Sequence, residues 1–307
     1  MQVLAQPNEL DRAGRGVALA LGVFDGVHLG HQEVIRRLAT DAAGRGGLPV
    51  VVTFDRHPNS VVAPDRTPPL LQTTAQKLRA LAMLDVAATW VIRFDTAFSR
   101  QTGEGFVRTL AGNFPPLRSV FVGEEFQFGH GRSGNVPLLH RLGGELGFRT
   151  HAVPAVQFEG QPVSSTRIRE AVHDGGFALA GRLLGRPWAL AGRVVRGDRL
   201  GRQLGFPTAN LAVAGLVLPA PGVYVATTIV LACRRTAVVN IGHRPTLAQP
   251  EPALRVEAHL LDFDGDLYGQ ELELVFTRRL RDEVKFASLA ALRDQIGRDV
   301  AAARLSG

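Results

Sequence analysis

The sequence predicts an α/β fold, a doubly wound parallel sheet over residues 1–183, followed by a small β-barrel with a C-terminal helix over residues 184–307. Three observations predict it. In the first part, apolar runs without polar alternation alternate with helix-like patterns, as strands buried on both faces of a parallel sheet require. From Trp188 onward, short strand-like segments separated by Gly, Pro and Asp-Gly turns replace that alternation. The chain's 307 residues, 45% of them hydrophobic, suffice for two separate cores.

Val17–Phe24 is the first strand, stopped by the turn residues Asp25-Gly26, and Gln32–Thr40 is the helix after it. There follow the strand Leu48–Phe54, a Pro- and Asp-rich loop His57–Pro69 and a helix at Thr74–Leu84. Next are the strand Ala88–Phe94, the helix Thr102–Leu110 and the strand Ser119–Val122. A glycine-rich loop, Gly123–Asn135, precedes the helix Val136–Leu146 and the strand Arg149–Val153. This β-α-β-α order implies a parallel sheet, with ligands at the carboxyl ends of its strands. Asp174–Arg186 reads as a short helix-plus-loop linker. In the second half, Asp264-Gly265 predicts a hairpin joining Val256–Leu261 to Glu271–Phe276. An amphipathic helix, Leu289–Arg304, with Leu292, Ile296 and Val300 on one face, closes the chain.

Chemistry concentrates first in LGVFDGVHLGH, Leu21–His31. His28 and His31, three apart at a helix start, share one side of the first turn, and Gly30 between them admits a close backbone approach. A helix N-terminus favours anions, so the pair forms a site for a polyphosphate. A structural histidine pair and a metal pair are the competing readings, the latter without a third ligand at recognisable spacing. The spacing resembles the HxGH element of nucleotidyltransferases that move AMP or CMP. Downstream, Ser164, Ser165 and Thr166 can cap a helix whose first turns carry Arg167 and Arg169. An ordinary capped helix is one reading; the second cationic side of a triphosphate site is the other, since charge builds on a leaving pyrophosphate.

Composition bounds the partners. The net charge is +7, yet no run of Lys or Arg exceeds two residues, and only Lys77 and Lys285 are lysines. Solvated surface or anionic small substrates account for such scattered charge better than nucleic acid does. Cys233 is the only cysteine, which excludes an intrachain disulfide and suits a reducing, cytoplasmic setting. The first 16 residues contain no long apolar segment, so no secretory signal is expected. The uncharged stretch Leu211–Ala232 is broken by Gly215, Pro219, Pro221 and Gly222 and reads as a turn feeding a strand, not a membrane helix.

In the second half, Gly205–Asn210 (GFPTAN) offers the Thr208 hydroxyl and Asn210 amide, oxygen ligands of the kind magnesium accepts beside phosphates. A plain Pro-Thr turn is the alternative. Gly192–Gly205, with Arg193, Arg196, Arg199 and Arg202, could fold over a triphosphate as a flap. Glu257 shares a strand face with Arg255 and His259, either a solvated face or the place of a general base. The spacing of Asp262, Asp264, Asp266 and Glu273 mimics a calcium loop, but Leu267 stands where that loop needs Gly and its flanks are strands.

Together these motifs resemble, over almost the whole length and in family order, the bacterial bifunctional riboflavin kinase/FAD synthetase family. GVFDGVHLGH (Gly22–His31), TFDRHP (Thr53–Pro58), VGEEFQFG (Val122–Gly129) and VSSTRIRE (Val163–Glu170) carry the FMN adenylyltransferase half. The kinase half is carried by Leu184–Leu211, VVNIGHRPT (Val238–Thr246), Val256–Gly269 and LRDEVKF (Leu280–Phe286). Three positions depart from the family pattern: Val23 for Asn, Arg56 for Pro and Glu125 for Asp.

The resemblance implies a Rossmann-type, nucleotidyltransferase-like sheet and a β-barrel kinase domain. It implies ATP and magnesium as cofactors, with riboflavin, FMN and FAD as substrates and products; neither a membrane nor nucleic acid is implied. In its terms Glu257 is the kinase base, and His28 and His31 serve the transferring phosphate. Gly22, Phe24, Asp25, Gly26, Gly30, Ser164, Ser165, Thr166 and Arg167 bind the nucleotide in the first half, Gly197 and Gly205 in the second. Phe126, Phe128, Asn240 and Arg244 contact flavin, and Thr208 and Asn210 hold the nucleotide's magnesium. A kinase with an impaired adenylyltransferase half, and a basic nucleic-acid-binding protein on the same scaffold, are the alternatives.

Overall fold

The structure, a computed structural model, describes residues 1–198, 200–243 and 254–305. The chain divides into two compact units, Met1–Ser165 and Thr166–Gly307.

In the first unit the strands are β1 (Gln2–Leu4), β2 (Val17–Leu21), β3 (Leu48–Phe54), β4 (Ala88–Ile92), β5 (Leu117–Gly123) and β6 (Arg149–Val153). The main helices are α1 (Leu29–Gly44), α2 (Asn59–Val62), α3 (Thr74–Ala82), α4 (Thr96–Ser99), α5 (Gly103–Asn113) and α6 (Val136–Leu146). A small antiparallel pair, β7 (Gln157–Phe158) and β8 (Gln161–Pro162), follows. The strands form one parallel sheet in the order β1-β4-β3-β2-β5-β6. Both faces are covered, which is why the strands read as continuous apolar runs. Leu19, Val50, Val52 and Val120 belong to one core cluster with Phe106, Leu110, Leu139 and Leu142 of α5 and α6. Ala18, Ala20, Val51 and Phe121 belong to another with Ile35, Leu38 and Leu81 of α1 and α3. The sheet reverses its direction of growth between β2 and β5, so the segment leaving β2 sits at the switch point, where such sheets bind ligands.

The first strand is shorter than the apolar run: β2 ends at Leu21, because Phe24 turns out of the sheet into the left-handed region at φ 51°. The expected loop His57–Pro69 contains the short helix α2.

The second unit holds α7 (Ser165–His173), whose first residue is the last of unit one, then α8 (Phe177–Leu184), β9 (Ala189–Val195) and the short α9 (Leu200–Gln203). There follow β10 (Ala209–Ala212), β11 (Gly222–Val230), β12 (Cys233–His243), β13 (Leu254–Leu260), β14 (Glu271–Arg281) and α10 (Leu289–Arg304). The six strands close into an antiparallel barrel, β10-β13-β12-β11-β14-β9. Its interior takes alternate residues, among them Val239, Ile241, Val256, Ala258, Leu272 and Leu274, all buried. Outside, Val300 and Ala303 of α10 pack on Val223, Val225 and Val238.

Two expectations are corrected here. Asp264-Gly265 closes no hairpin, because β13 pairs with β10 and β12 while β14 pairs with β11 and β9. Barrel closure sets that pairing, and the residues between β13 and β14 become a rim loop whose left-handed positions are Asp262 and Gly269. Asp262 in that loop is ion-paired with Arg304. Nor is the expected flap Gly192–Gly205 a loop throughout: it is strand as far as Val195, and α9 follows. Arg199 lies outside the described residues. The expected linker 174–186 contains α8, whose buried Phe177 stacks on Trp188 and meets Phe276 at 5.3 Å and Tyr224 at 5.8 Å between ring centroids.

Candidate functional site

The segment leaving β2 is built under strain. Phe24, Gly26 and Val27 all have positive φ, at 51°, 85° and 41°. Only the glycine adopts this freely, so the two side-chain-bearing residues store roughly 1–3 kcal/mol each. Side chains from four other segments hold the turn by its carbonyl oxygens. Thr53 Oγ1 and Lys77 Nζ donate to the Val23 carbonyl at 3.0 and 3.3 Å. Gln72 donates to that of Phe24 at 3.3 Å, Ser165 to that of Asp25 at 2.9 Å and Gln32 to that of Val27 at 2.8 Å. The buried Asp25 carboxylate accepts the Leu71 amide at 3.0 and 3.1 Å.

The turn delivers the histidines. His28 is the N-cap of α1, its Nδ1 accepting from the His31 amide at 3.4 Å, and the two rings stack 3.6 Å apart at 19°. Phe24 meets His31 edge-on at 5.2 Å. The Nδ1 of His31 is buried and makes no hydrogen bond among the described residues. Burial first, then the neighbouring His28 and Lys77, hold the His31 imidazole well below its usual range, so it is neutral near pH 7. A neutral imidazole is a hydrogen-bond donor, and an arriving polyanion would raise its basicity.

Beside this turn lies a cavity of about 610 Å³. Its walls include Leu21, Gly22 and Val23 of the turn, His57 and Pro58 after β3, and Phe54, Phe94, Phe98, Phe106, Phe126 and Phe128. Six of the chain's 16 phenylalanines therefore face one space, a surface suited to a flat aromatic ring. Glycine at 134 matters here, since a Cβ would come within 2.6 Å of the Phe128 ring.

The structure thus brings His28, His31, Gly22, Phe24, Asp25, Gly26, Gly30, Ser165, Phe126 and Phe128 into one region of the first unit. Ser164 directly precedes α7, while Thr166 and Arg167 fall in the second unit. Of the three departures, Val23 serves the turn through its carbonyl, Arg56 ion-pairs with Asp55 at 3.0 Å, and Glu125 is exposed. The sequence motifs left out Lys77, Gln72, Phe94, Phe98 and Phe106, and included Thr53 and Phe54 within TFDRHP without giving them a role. Lys77 left a trace, as one of two lysines among 35 basic residues; Phe94, which follows β4, and Phe98 and Phe106, on two helices, left none.

On the barrel's outer face three polar side chains stand in a row. Asn210 of β10 is directly opposite Glu257 of β13, which is directly opposite Asn240 of β12. Cross-strand partners point to the same side of a sheet, so amide, carboxylate and amide converge. Arg255, two residues from Glu257 and on the same face, pairs with Asp198 at 3.0 Å, and His259 Nδ1 lies 2.8 Å from the Pro207 carbonyl. Thr208 lines a neighbouring pocket with Arg202, Phe263 and Tyr268. Gly197 lies over Asn210, where a Cβ would be 2.6 Å from the carboxamide carbon and oxygen, and Gly205 has φ 89°. Arg244 lies outside the described residues.

A parallel sheet with a histidine pair at its switch point, joined to a closed barrel bearing an oxygen-rich row, defines a two-site group-transfer protein of nucleotidyltransferase and kinase type. A family model described as FAD synthetase matches residues 11–167, and one described as riboflavin kinase matches residues 184–306. The bifunctional riboflavin kinase/FMN adenylyltransferase of Escherichia coli (strain K12) is 39% identical over 94% of this chain and 92% of its own. That of Pseudomonas fluorescens is 38% identical over 99% and 97%. This chain belongs to the bifunctional riboflavin kinase/FMN adenylyltransferase family. A solved structure titled a macrolide-efflux protein from Streptococcus pneumoniae also matches over 98% of both chains, at 29% identity and a TM-score of 0.81. Among the described residues of the present chain, no helix is long and apolar enough to cross a membrane.

Proposed function

We propose that this chain converts riboflavin to FAD in two ATP-dependent steps, with the kinase step on the barrel unit and AMP transfer on the sheet unit. The observation that carries this reading is the phenylalanine-lined cavity against the histidine-bearing turn, which puts a flat-ring site beside a phosphate site.

Phosphorylating riboflavin requires a proton to leave a primary alcohol as its oxygen bonds to the γ-phosphorus of ATP and the bond to the bridging oxygen breaks, releasing ADP. Glu257, half-buried between Asn210 and Asn240, is the base for that proton, a role worth about 10²–10⁴-fold in rate. Thr208 and Asn210 suit a magnesium ion, since both offer neutral oxygens, and the Asn210 carboxamide packs directly on Gly197, where a Cβ would displace it. The ion would neutralise charge on the ATP phosphates as the phosphoryl group moves. Asn240, with Arg244, is assigned to the flavin, and Gly197 and Gly205 to the nucleotide.

AMP transfer needs no base, because the attacking FMN phosphate is already an anion. Its oxygen bonds to the α-phosphorus of ATP as the bond to the pyrophosphate oxygen breaks. His28 and His31 donate to the phosphates, and Ser164 and Ser165, at the end of the first unit, are assigned to the second side of the site. Phe126 and Phe128 pack against the isoalloxazine ring. We assign the domains to residues 1–183 and 184–307, and the protein to the cytoplasm, where ATP is at hand and its one thiol, the exposed Cys233, stays reduced.

Incubation with riboflavin, ATP and magnesium, followed by separation of the flavins, tests the proposal. FMN and then FAD are expected. FMN accumulating without FAD, even with FMN supplied at the outset, would refute the bifunctional reading and leave a kinase alone.

A further inference from the structure

Lys77 is 7% exposed and lies beneath the strained turn rather than in the ligand space. Its ammonium has three protons and finds three acceptors: the Phe54 carbonyl at 2.8 Å, Thr53 Oγ1 at 3.2 Å and the Val23 carbonyl at 3.3 Å. Thr53 passes its own hydroxyl proton to the same Val23 carbonyl. The end of β3 and the segment leaving β2 are therefore fastened through one buried cation, at the residue before the left-handed Phe24. We propose that Lys77 is the positioning residue of the AMP-transfer site, fixing the turn that stacks His28 on His31; this rests on the AMP-transfer reading above.

The chemistry explains why a lysine stands there in a chain otherwise dominated by arginine. A tetrahedral ammonium on a flexible stem can serve three acceptors converging from different directions, which a planar guanidinium cannot. The charged groups facing Lys77 are Asp25 on the turn, Asp55 after β3 and His31 on α1. Burial pushes the Lys77 ammonium down to about 8, the two carboxylates partly opposing the fall. Above that pH the neutral amine has only two protons for three acceptors, so one fastening is lost.

The test compares the full chain with Lys77→Met and Lys77→Arg, measuring FAD formation from FMN and riboflavin phosphorylation on each. Lys77→Met should lower kcat for FAD formation about 10²-fold, the scale expected when reacting groups shift by about an ångström. KM for FMN should change little, because the cavity's phenylalanines are untouched, and riboflavin phosphorylation should persist. Unaltered protein should lose FAD formation on the alkaline side of about pH 8, while Lys77→Arg, always charged, should lack that fall whatever its absolute rate. Retention of kcat in Lys77→Met, an alkaline fall that persists in Lys77→Arg, or parallel loss of both activities would each overturn the proposal. Should the unaltered chain form no FAD, the AMP-transfer reading fails separately. The His31 imidazole titration, followed by NMR, then decides the placement of Lys77. It should move upward in Lys77→Met, which lacks the neighbouring cation, and an unmoved titration sinks the idea.

Discussion

His28 and His31 stack face to face with ring centroids 3.6 Å apart, so a second positive charge on this pair meets the first at close range. With burial and Lys77 acting in the same direction, His31 stays neutral in the folded chain at a pH where an exposed imidazole is protonated. Stability then depends on pH in a definite sense. Below about pH 6.5 the unfolded chain takes up a proton at His31 that the folded chain refuses. The contribution is complete above that pH and is lost as pH falls toward the depressed folded value. Melting temperatures at pH 7.5 and 5.5 should fall by a few degrees more in the unaltered chain than in His31→Leu. An equal fall in both would show that His31 titrates normally.

Glu257→Gln preserves size and hydrogen-bonding reach between Asn210 and Asn240 while removing the base. Riboflavin phosphorylation should drop about 10²–10⁴-fold, and FAD formation from FMN should be nearly untouched. A kinase that keeps its rate would mean that Glu257 is only a polar residue on the outer face of the barrel.

His31→Ala should show the opposite split, with FAD formation falling about 10²–10³-fold and kinase turnover intact. Separate turnover assays on folded protein check it. Undiminished FAD formation would refute a phosphate role for the pair.

Gly197→Ala tests the magnesium assignment. The new Cβ would sit 2.6 Å from the Asn210 carboxamide carbon and oxygen, so that side chain must move. Riboflavin phosphorylation should need several-fold more magnesium for half-maximal rate, with FAD formation as the internal control. An unchanged magnesium curve argues against Asn210 as a ligand.

Two truncations separate the domain assignment from the packing of α8. A 184–307 fragment lacks Phe177, which stacks on Trp188 and touches Tyr224 and Phe276. Losing a buried aromatic typically costs about 3–5 kcal/mol. Fragment 166–307 should therefore melt well above 184–307, and the smaller piece should bind hydrophobic dyes. Equal stability of the two would show that α8 adds nothing to the barrel.

The sequence by itself determined the α/β alternation of the first unit from β2 onward, because its apolar runs lack the polar alternation of half-exposed strands. The edge strand β1, only three residues long, carried no such run. The sequence also determined the sharp reversal at Asp25-Gly26 and the shared side of His28 and His31, which follow from local backbone preference and helical spacing. The three strands Leu48–Phe54, Arg149–Val153 and, less completely, Ala88–Ile92 were legible for the same reason, as were the helices Val136–Leu146 and Leu289–Arg304. What depends on partners distant in the chain was decided only by tertiary structure. Barrel closure, not the Asp264-Gly265 dipeptide, chose the neighbours of β13 and β14 and set Glu257 between Asn210 and Asn240, partners that lie far from it along the chain. The cavity exists because six phenylalanines from separate segments converge, and Lys77 acquired its role because β2 and β3 end side by side above α3. Local propensity carries no information about such meetings; they arise when the sheet and barrel bury their faces together.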